Sequence, residues 1–170
     1  MAELITSAQD LDTITEQFKS QRRPKQILLC AGAGCVASGS PAVSKALRDE
    51  INKQGLEDVA EVIDCGCLGL CAKGPVALVR PGEVFYEQLQ PEDAAEIIEE
   101  HIKNDNIVER LVHTTPEGKK AVRLNDIPFF SKQKKTVLSN CGDIDPTAIE
   151  AYISNNGYRA LHKALTEMTP

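Results

Sequence analysis

The chain has no tryptophan, and aromatic residues make up only 4% of its 170 residues. A core of stacked rings is therefore excluded, and aliphatic side chains must fill the interior. No apolar stretch is long enough to span a membrane. Met1-Ala2-Glu3-Leu4 lacks the basic start and apolar run of a secretory leader. The expected compartment is the cytoplasm, where thiols stay reduced. The chain also lacks C-x-x-C, the usual thioredoxin-type dithiol. It lacks G-x-G-x-x-G as well, so no dinucleotide-binding loop is expected. Positive charge is in deficit, with 19 Lys and Arg against 25 Asp and Glu. A net charge of -6 makes nucleic acid and anionic membrane surfaces poor partners, and it suits docking to a basic protein surface.

What is present is an ordinary hydrophobic fraction, 42%, in a chain long enough for one domain and a smaller attachment. Six cysteines in a reducing compartment point to metal or redox chemistry before disulfides.

The apolar pattern gives an order of elements. Ser7 and Asp10 form a helix-start box ahead of Leu11, Ile14 and Phe18, and the helix covers about 8–20. Gln26 to Leu29 reads as a buried strand ending at Cys30. Ala31 to Ser40 reads as a loop, with Ser40 as N-cap and Pro41 opening a helix through Val43, Leu47 and Ile51. Val59 to Asp64 is a second strand, and Cys65 to Pro75 a second loop. Val76 to Val79 and Val84 to Tyr86 flank Pro81-Gly82 as a hairpin. Pro91 opens a helix with Ala94, Ile98 and Ile102 on one face and its acids on or near the other. The expected class is α/β: a small mixed sheet flanked by helices, ending near Val112. Residues 113–143 are rich in lysine and read as a basic linker with one strand, Lys135 to Leu138. Residues 144–170 read as two helices, the first capped by Asp145.

Four cysteines fall in two loops, and each loop follows an expected strand. The pairs are Cys30-x4-Cys35 and Cys67-x3-Cys71. Neighbouring strands would bring both loops to one edge of the sheet, where four thiolates converge. Four thiolates serve an iron–sulfur cluster or a structural zinc ion, and spacing alone leaves both open. The glycines and alanines of these loops let backbone N–H groups approach negatively charged sulfur. Cys65, two residues before Cys67, competes with it as a ligand or is a packed free thiol, and Cys141 reads as a buried or spare thiol. His101, His113 and His162 show no paired spacing.

The segments CAGAGCVASGS, GCLGLCAKGP and VRPGEVFYEQLQPEDAAEIIEEHI resemble the thioredoxin-like [2Fe-2S] ferredoxin family over about residues 25–112. The resemblance implies a thioredoxin-like fold, a [2Fe-2S] cluster held by Cys30, Cys35, Cys67 and Cys71, and one-electron transfer. Zinc in a four-cysteine interaction domain is the alternative. The spacing differs from the plant-type C-x4-C-x2-C pattern.

The stretch from Leu111 to Pro170 resembles the start of the flavoprotein subunit of complex I-like NADH dehydrogenases, NAD(P)-linked iron hydrogenases and formate dehydrogenases. That resemblance implies a ferredoxin module, residues 1–112, with the beginning of a truncated flavoprotein domain at 144–170. The partners would be other subunits of an oxidoreductase complex. FMN, NAD(H) and a [4Fe-4S] cluster would be held in a remainder these residues do not include, so no catalysis is expected of this chain alone.

Overall fold

The computed structural model describes residues 5–169. The reading of Met1 to Leu4 lies outside them. Helix α1 (Ala8–Gln21) begins at the expected box: the Asp10 backbone N–H donates to Ser7 Oγ at 3.3 Å, and the Ser7 N–H donates to Asp10 Oδ2 at 2.8 Å. Each bond satisfies an N–H that the helix start would otherwise leave unpaired. The chain forms two compact units. Residues 23–144 make the larger one.

Its sheet contains β1 (Lys25–Cys30), β2 (Ala60–Cys65), β3 (Ala77–Arg80) and β4 (Val84–Tyr86), in the order β2-β1-β3-β4. Strand β2 runs parallel to β1 with Cys30 opposite Cys65, whereas β3 is antiparallel to both β1 and β4. Parallel strands leave a sheet at the same end, so the loops after β1 and β2 start side by side. The crossover that makes this possible carries α2 (Ala33–Ala37) and α3 (Ser40–Lys53). Two expectations change here. Ala33 to Ala37 is a helical turn inside the expected loop, and Gly39, not Ser40, is the N-cap of α3. Gly39 has φ +98°, which lets Ser38 and Gly39 alone join two helices, and Ser40 is then drawn into the buried first turn.

Alternation along the strands divides the core in two. Ile27, Leu29, Val79 and Tyr86 face Val43, Leu47 and Ile51 of α3. The same layer takes Ile98 and Ile102 from the helix that starts as α4 (Asp93–Glu96) and continues as a π-helix, Ile97–Lys103. Leu28, Leu78 and Phe85 point the other way, toward Ala121, Ile127 and Phe130.

Residues 113–143 are thus not an open linker. They form the short pair β5 (His113–Thr114) and β6 (Lys120–Ala121), then α5 (Pro128–Ser131). Backbone bonds hold them to the hairpin, from the Phe85 N–H to the Val122 carbonyl and from the Leu124 N–H to the Glu83 carbonyl, both at 2.9 Å. The reason is that the strands are apolar on both faces, and helices cover only one. Lys135 to Leu138 form no strand; Val137 is 94% exposed and meets no strand edge to pair with.

The smaller unit joins α1 to α6 (Ile149–Ser154) and α7 (Arg159–Thr166). Leu11, Ala151 and Ile153 are its buried apolar residues, and Arg159 pairs with Asp12. Within this unit helix α1 packs on α6. Asp145 does not cap a helix. It accepts bonds from the Thr147 N–H and hydroxyl at 2.8 and 2.6 Å, a local turn that delays the helix to Ile149.

Candidate metal centre

Strand β1 delivers Cys30 to the end of the sheet, where its N–H donates to the Val76 carbonyl at 3.0 Å. Cys35 follows one turn into α2. Both are about 1% exposed. The second loop leaves β2 after Cys65 and is tied to the first by the Ala31 N–H, which donates to the Cys65 carbonyl at 2.9 Å. Cys67 is half-buried, and Cys71 is exposed at the start of a 3-10 turn, Cys71–Lys73.

The thiols meet in pairs. Cys67 and Cys71 have their sulfurs 3.8 Å apart. Two thiolates on one tetrahedral metal, with bonds of about 2.3 Å, stand about 3.8 Å apart. Cys30 and Cys71 both lie near enough to Cys35 to raise its proton affinity, and Cys30 and Cys35 share one buried layer. Among the described residues no three metal-binding side chains close around a single point. Two pairs suit a two-iron centre, in which each iron takes two thiolates.

The loops interlock through glycine. A Cβ on Gly74 would lie 2.8 Å from Cys35 Sγ, and one on Gly32 would lie 3.0 Å from Cys67 Cβ. One on Gly34 would lie 3.2 Å from Cys71 Cβ. Each of these glycines thus makes room for a cysteine of the other loop. This close backbone approach is what an anionic sulfur centre needs from its N–H groups.

Without a metal, two of the four thiols have raised proton affinity. Burial pushes the Cys35 thiol up to about 12, and the neighbouring Cys30 adds to the shift. The hydrogen bond with Cys67, then its charge, raises Cys71.

Cys65 stands apart from these pairs. It is fully buried, donates its thiol hydrogen to the Leu29 carbonyl at 3.3 Å, and is pushed up to about 12 by burial. Cys141 lies beside the second loop and donates to the Cys67 carbonyl at 3.3 Å. The histidines join no thiol. His101 bonds Tyr86, His113 bonds Glu87 at 2.6 Å, and His162 lies in the smaller unit. Sequence reasoning missed Phe129 and Phe130, whose rings border Gly69 in the second loop. The signal was available in strands too apolar for a one-sided sheet.

The comparisons agree with this geometry. The sequence profile of the family described as thioredoxin-like [2Fe-2S] ferredoxin matches residues 7–102. A 2Fe-2S ferredoxin of Aquifex aeolicus is 40% identical over 79 residues, 46% of this chain and 71% of that protein. One from Clostridium pasteurianum is 32% identical over 77 residues, 45% of this chain and 76% of that protein. The crystal structure of the wild-type thioredoxin-like [2Fe-2S] ferredoxin from Aquifex aeolicus has a TM-score of 0.51 at 32% identity, covering 55% of this chain and 100% of that one. With paired thiols, glycine-lined loops and this sheet already in place, the chain belongs to the thioredoxin-like [2Fe-2S] ferredoxin family, whose cofactor is a [2Fe-2S] cluster.

Proposed function

We propose that Cys30, Cys35, Cys67 and Cys71 hold the [2Fe-2S] cluster and that the chain passes single electrons through it. The observation that carries this reading is the meeting of the loop of Cys30 and Cys35 with the loop of Cys67 and Cys71, where Gly32 and Gly34 lie against Cys67 and Cys71 and Gly74 lies against Cys35. When bound, the cluster supplies a one-electron couple. The protein's own residues supply the rest. The Cys30 and Cys35 side is buried and excludes water. Cys71 is exposed, so a partner protein approaches the centre most closely there. Gly32, Gly34 and Gly74 keep the backbone close to the sulfurs.

The larger setting we assign is the ferredoxin module of an NAD(P)H-linked dehydrogenase or hydrogenase flavoprotein subunit. The similarity of the C-terminal sixty residues to the start of such subunits supports it. In that setting residues 145–169 are the first helices of the flavoprotein domain, and the redox partners are other parts of the complex. FMN, NAD(H) and [4Fe-4S] chemistry belong to those other parts. No helix among the described residues is long and apolar enough to cross a membrane.

Anaerobically prepared protein tests the proposal. It should be red-brown, contain about two irons and two labile sulfides per chain, and give a spin-half EPR signal on reduction with dithionite. Stoichiometric zinc without sulfide, after expression with iron supplied, would overturn it. The chain alone should neither retain FMN nor reduce dyes with NADH.

A further inference from the structure

We infer that residues 113–144 form a cap over residues 66–69 of the second cysteine loop, which limits the access of water to the cluster there, away from the exposed Cys71, and holds its reduction potential down. This rests on the ligand assignment proposed above. The segment lies beyond the stretch matched by the family profile, which ends at residue 102.

Three contacts along the loop make the cap. Ring carbons of Phe129 and Phe130 would lie 3.5 and 3.6 Å from a Cβ on Gly69. Cys141 Sγ would lie 3.1 Å from a Cβ on Gly66, and it donates to the Cys67 carbonyl. Gly142, with φ +94°, comes so near that its own Cβ would strike Leu68 Cδ2 at 2.8 Å. A methyl group on Gly142 would strike its neighbour, one on Gly66 would crowd Cys141, and one on Gly69 would meet the rings in van der Waals contact, so no water layer separates the cap from the loop at these points. Phe130 and Ile127 also share one apolar layer with Cys30 and Cys35.

The cap is anchored at both ends and not merely laid on the surface. His113 bonds Glu87, itself 8% exposed, at 2.6 Å at the beginning, and Asp143 pairs with Arg80 at 2.6 Å at the end. Lys135 reaches back inside the segment to the Cys141 carbonyl at 3.1 Å.

The sign of the effect follows from charge. Four thiolates and two sulfides give the centre a net negative charge, and reduction adds one more. Water stabilises the more highly charged form, so excluding it favours the oxidised form and lowers the potential. The lysines at 132, 134 and 135 oppose this, but they are exposed and screened by solvent and salt.

The test uses the full-length, cluster-loaded chain with Phe130→Ala, Cys141→Ala and, as a control on the exposed part of the same segment, Val137→Ala. Potentials are measured by EPR-monitored titration and cluster loss by bleaching with a chelator. Phe130→Ala and Cys141→Ala should raise the midpoint potential and bleach several-fold faster, while Val137→Ala matches wild type. Hydrogen exchange should speed up at residues 66–71 in both. If Phe130→Ala fails to fold, Cys141→Ala decides by the same readouts. A loaded variant with unchanged potential, unchanged bleaching and unchanged exchange at 66–71 overturns the cap. Failure of the ligand assignment is distinguishable, because wild-type protein would then carry no iron and sulfide, or Cys67→Ala would keep them while Cys65→Ala loses them.

Discussion

The ring of Phe130 lies 5.5 Å from that of Phe85, centroid to centroid, with their planes tilted by 59°. Forty-five residues separate them in sequence, and the contact places α5 on the hairpin strand β4. Tilted rings at this distance add about 0.5–1.5 kcal/mol to their area burial. The hairpin face around Leu28, Leu78 and Phe85 thus takes its cover from beyond the expected domain end.

A chain shortened after Val112 should therefore lose stability and colour, because it bares that face. A chain shortened after Ile144 should keep both. Thermal melts and the visible spectrum of the two forms check this. Equal melting temperatures and equal cluster content would remove the segment's structural role.

Ligand identity is read by alanine scanning of the cysteines. Cys30, Cys35, Cys67 and Cys71 should each lose or greatly weaken cluster retention when changed to Ala. Cys65→Ala should retain the cluster, with a loss of stability from the small cavity in a buried site. A Cys65→Ala protein without iron beside a loaded Cys67→Ala protein would reverse the assignment in the second loop.

The glycine cradle predicts an order. Gly74→Ala drives a methyl group to 2.8 Å from Cys35 Sγ, Gly32→Ala to 3.0 Å from Cys67 Cβ, and Gly34→Ala to 3.2 Å from Cys71 Cβ. Iron content per folded chain should fall most for Gly74→Ala and least for Gly34→Ala. Circular dichroism separates loss of metal from loss of fold.

His101 predicts a pH dependence away from the centre. The Val108 N–H donates to the Tyr86 hydroxyl at 3.0 Å, and that hydroxyl in turn bonds His101 Nδ1 at 2.8 Å. Burial, then the charge of Lys25, holds the His101 pKa below its ordinary value. The unfolded chain therefore binds the proton more readily. Stability should fall as pH drops below about 6.5, with a slope of at most about 1.4 kcal/mol per pH unit from this group. His101→Asn retains an acceptor near Nδ1 and cannot titrate there, so denaturation midpoints should lose that slope. An unchanged slope would assign it elsewhere.

Leu47 is fully buried between α3 and the sheet. Leu47→Ala should destabilise the larger unit by about 2–5 kcal/mol. Urea denaturation with an unchanged m-value would read this directly, and a loss below about 1 kcal/mol would mean the site collapses around the smaller side chain.

Local chemistry in the sequence was enough for much of this protein. Ser7 and Asp10 start α1 because the capping bonds close within four residues. Strands β1 to β4 follow from apolar runs bounded by glycine and proline. The two cysteine pairs are legible because loop spacing and small neighbours are themselves local. What only the tertiary structure decided is which surfaces cover one another. Lysines dominate the composition of residues 113–143 and make them read as linker, yet a few apolar residues among them, Ala121, Ile127 and Phe130, meet the second face of the sheet. The apolar stripe of helix α1 finds its partner in α6, far along the chain. Cys141 looks spare from its distance in sequence, and it lies against the loop that carries Cys67. Burial between segments far apart depends on the shape left over after local elements have formed, and no local pattern carries that shape.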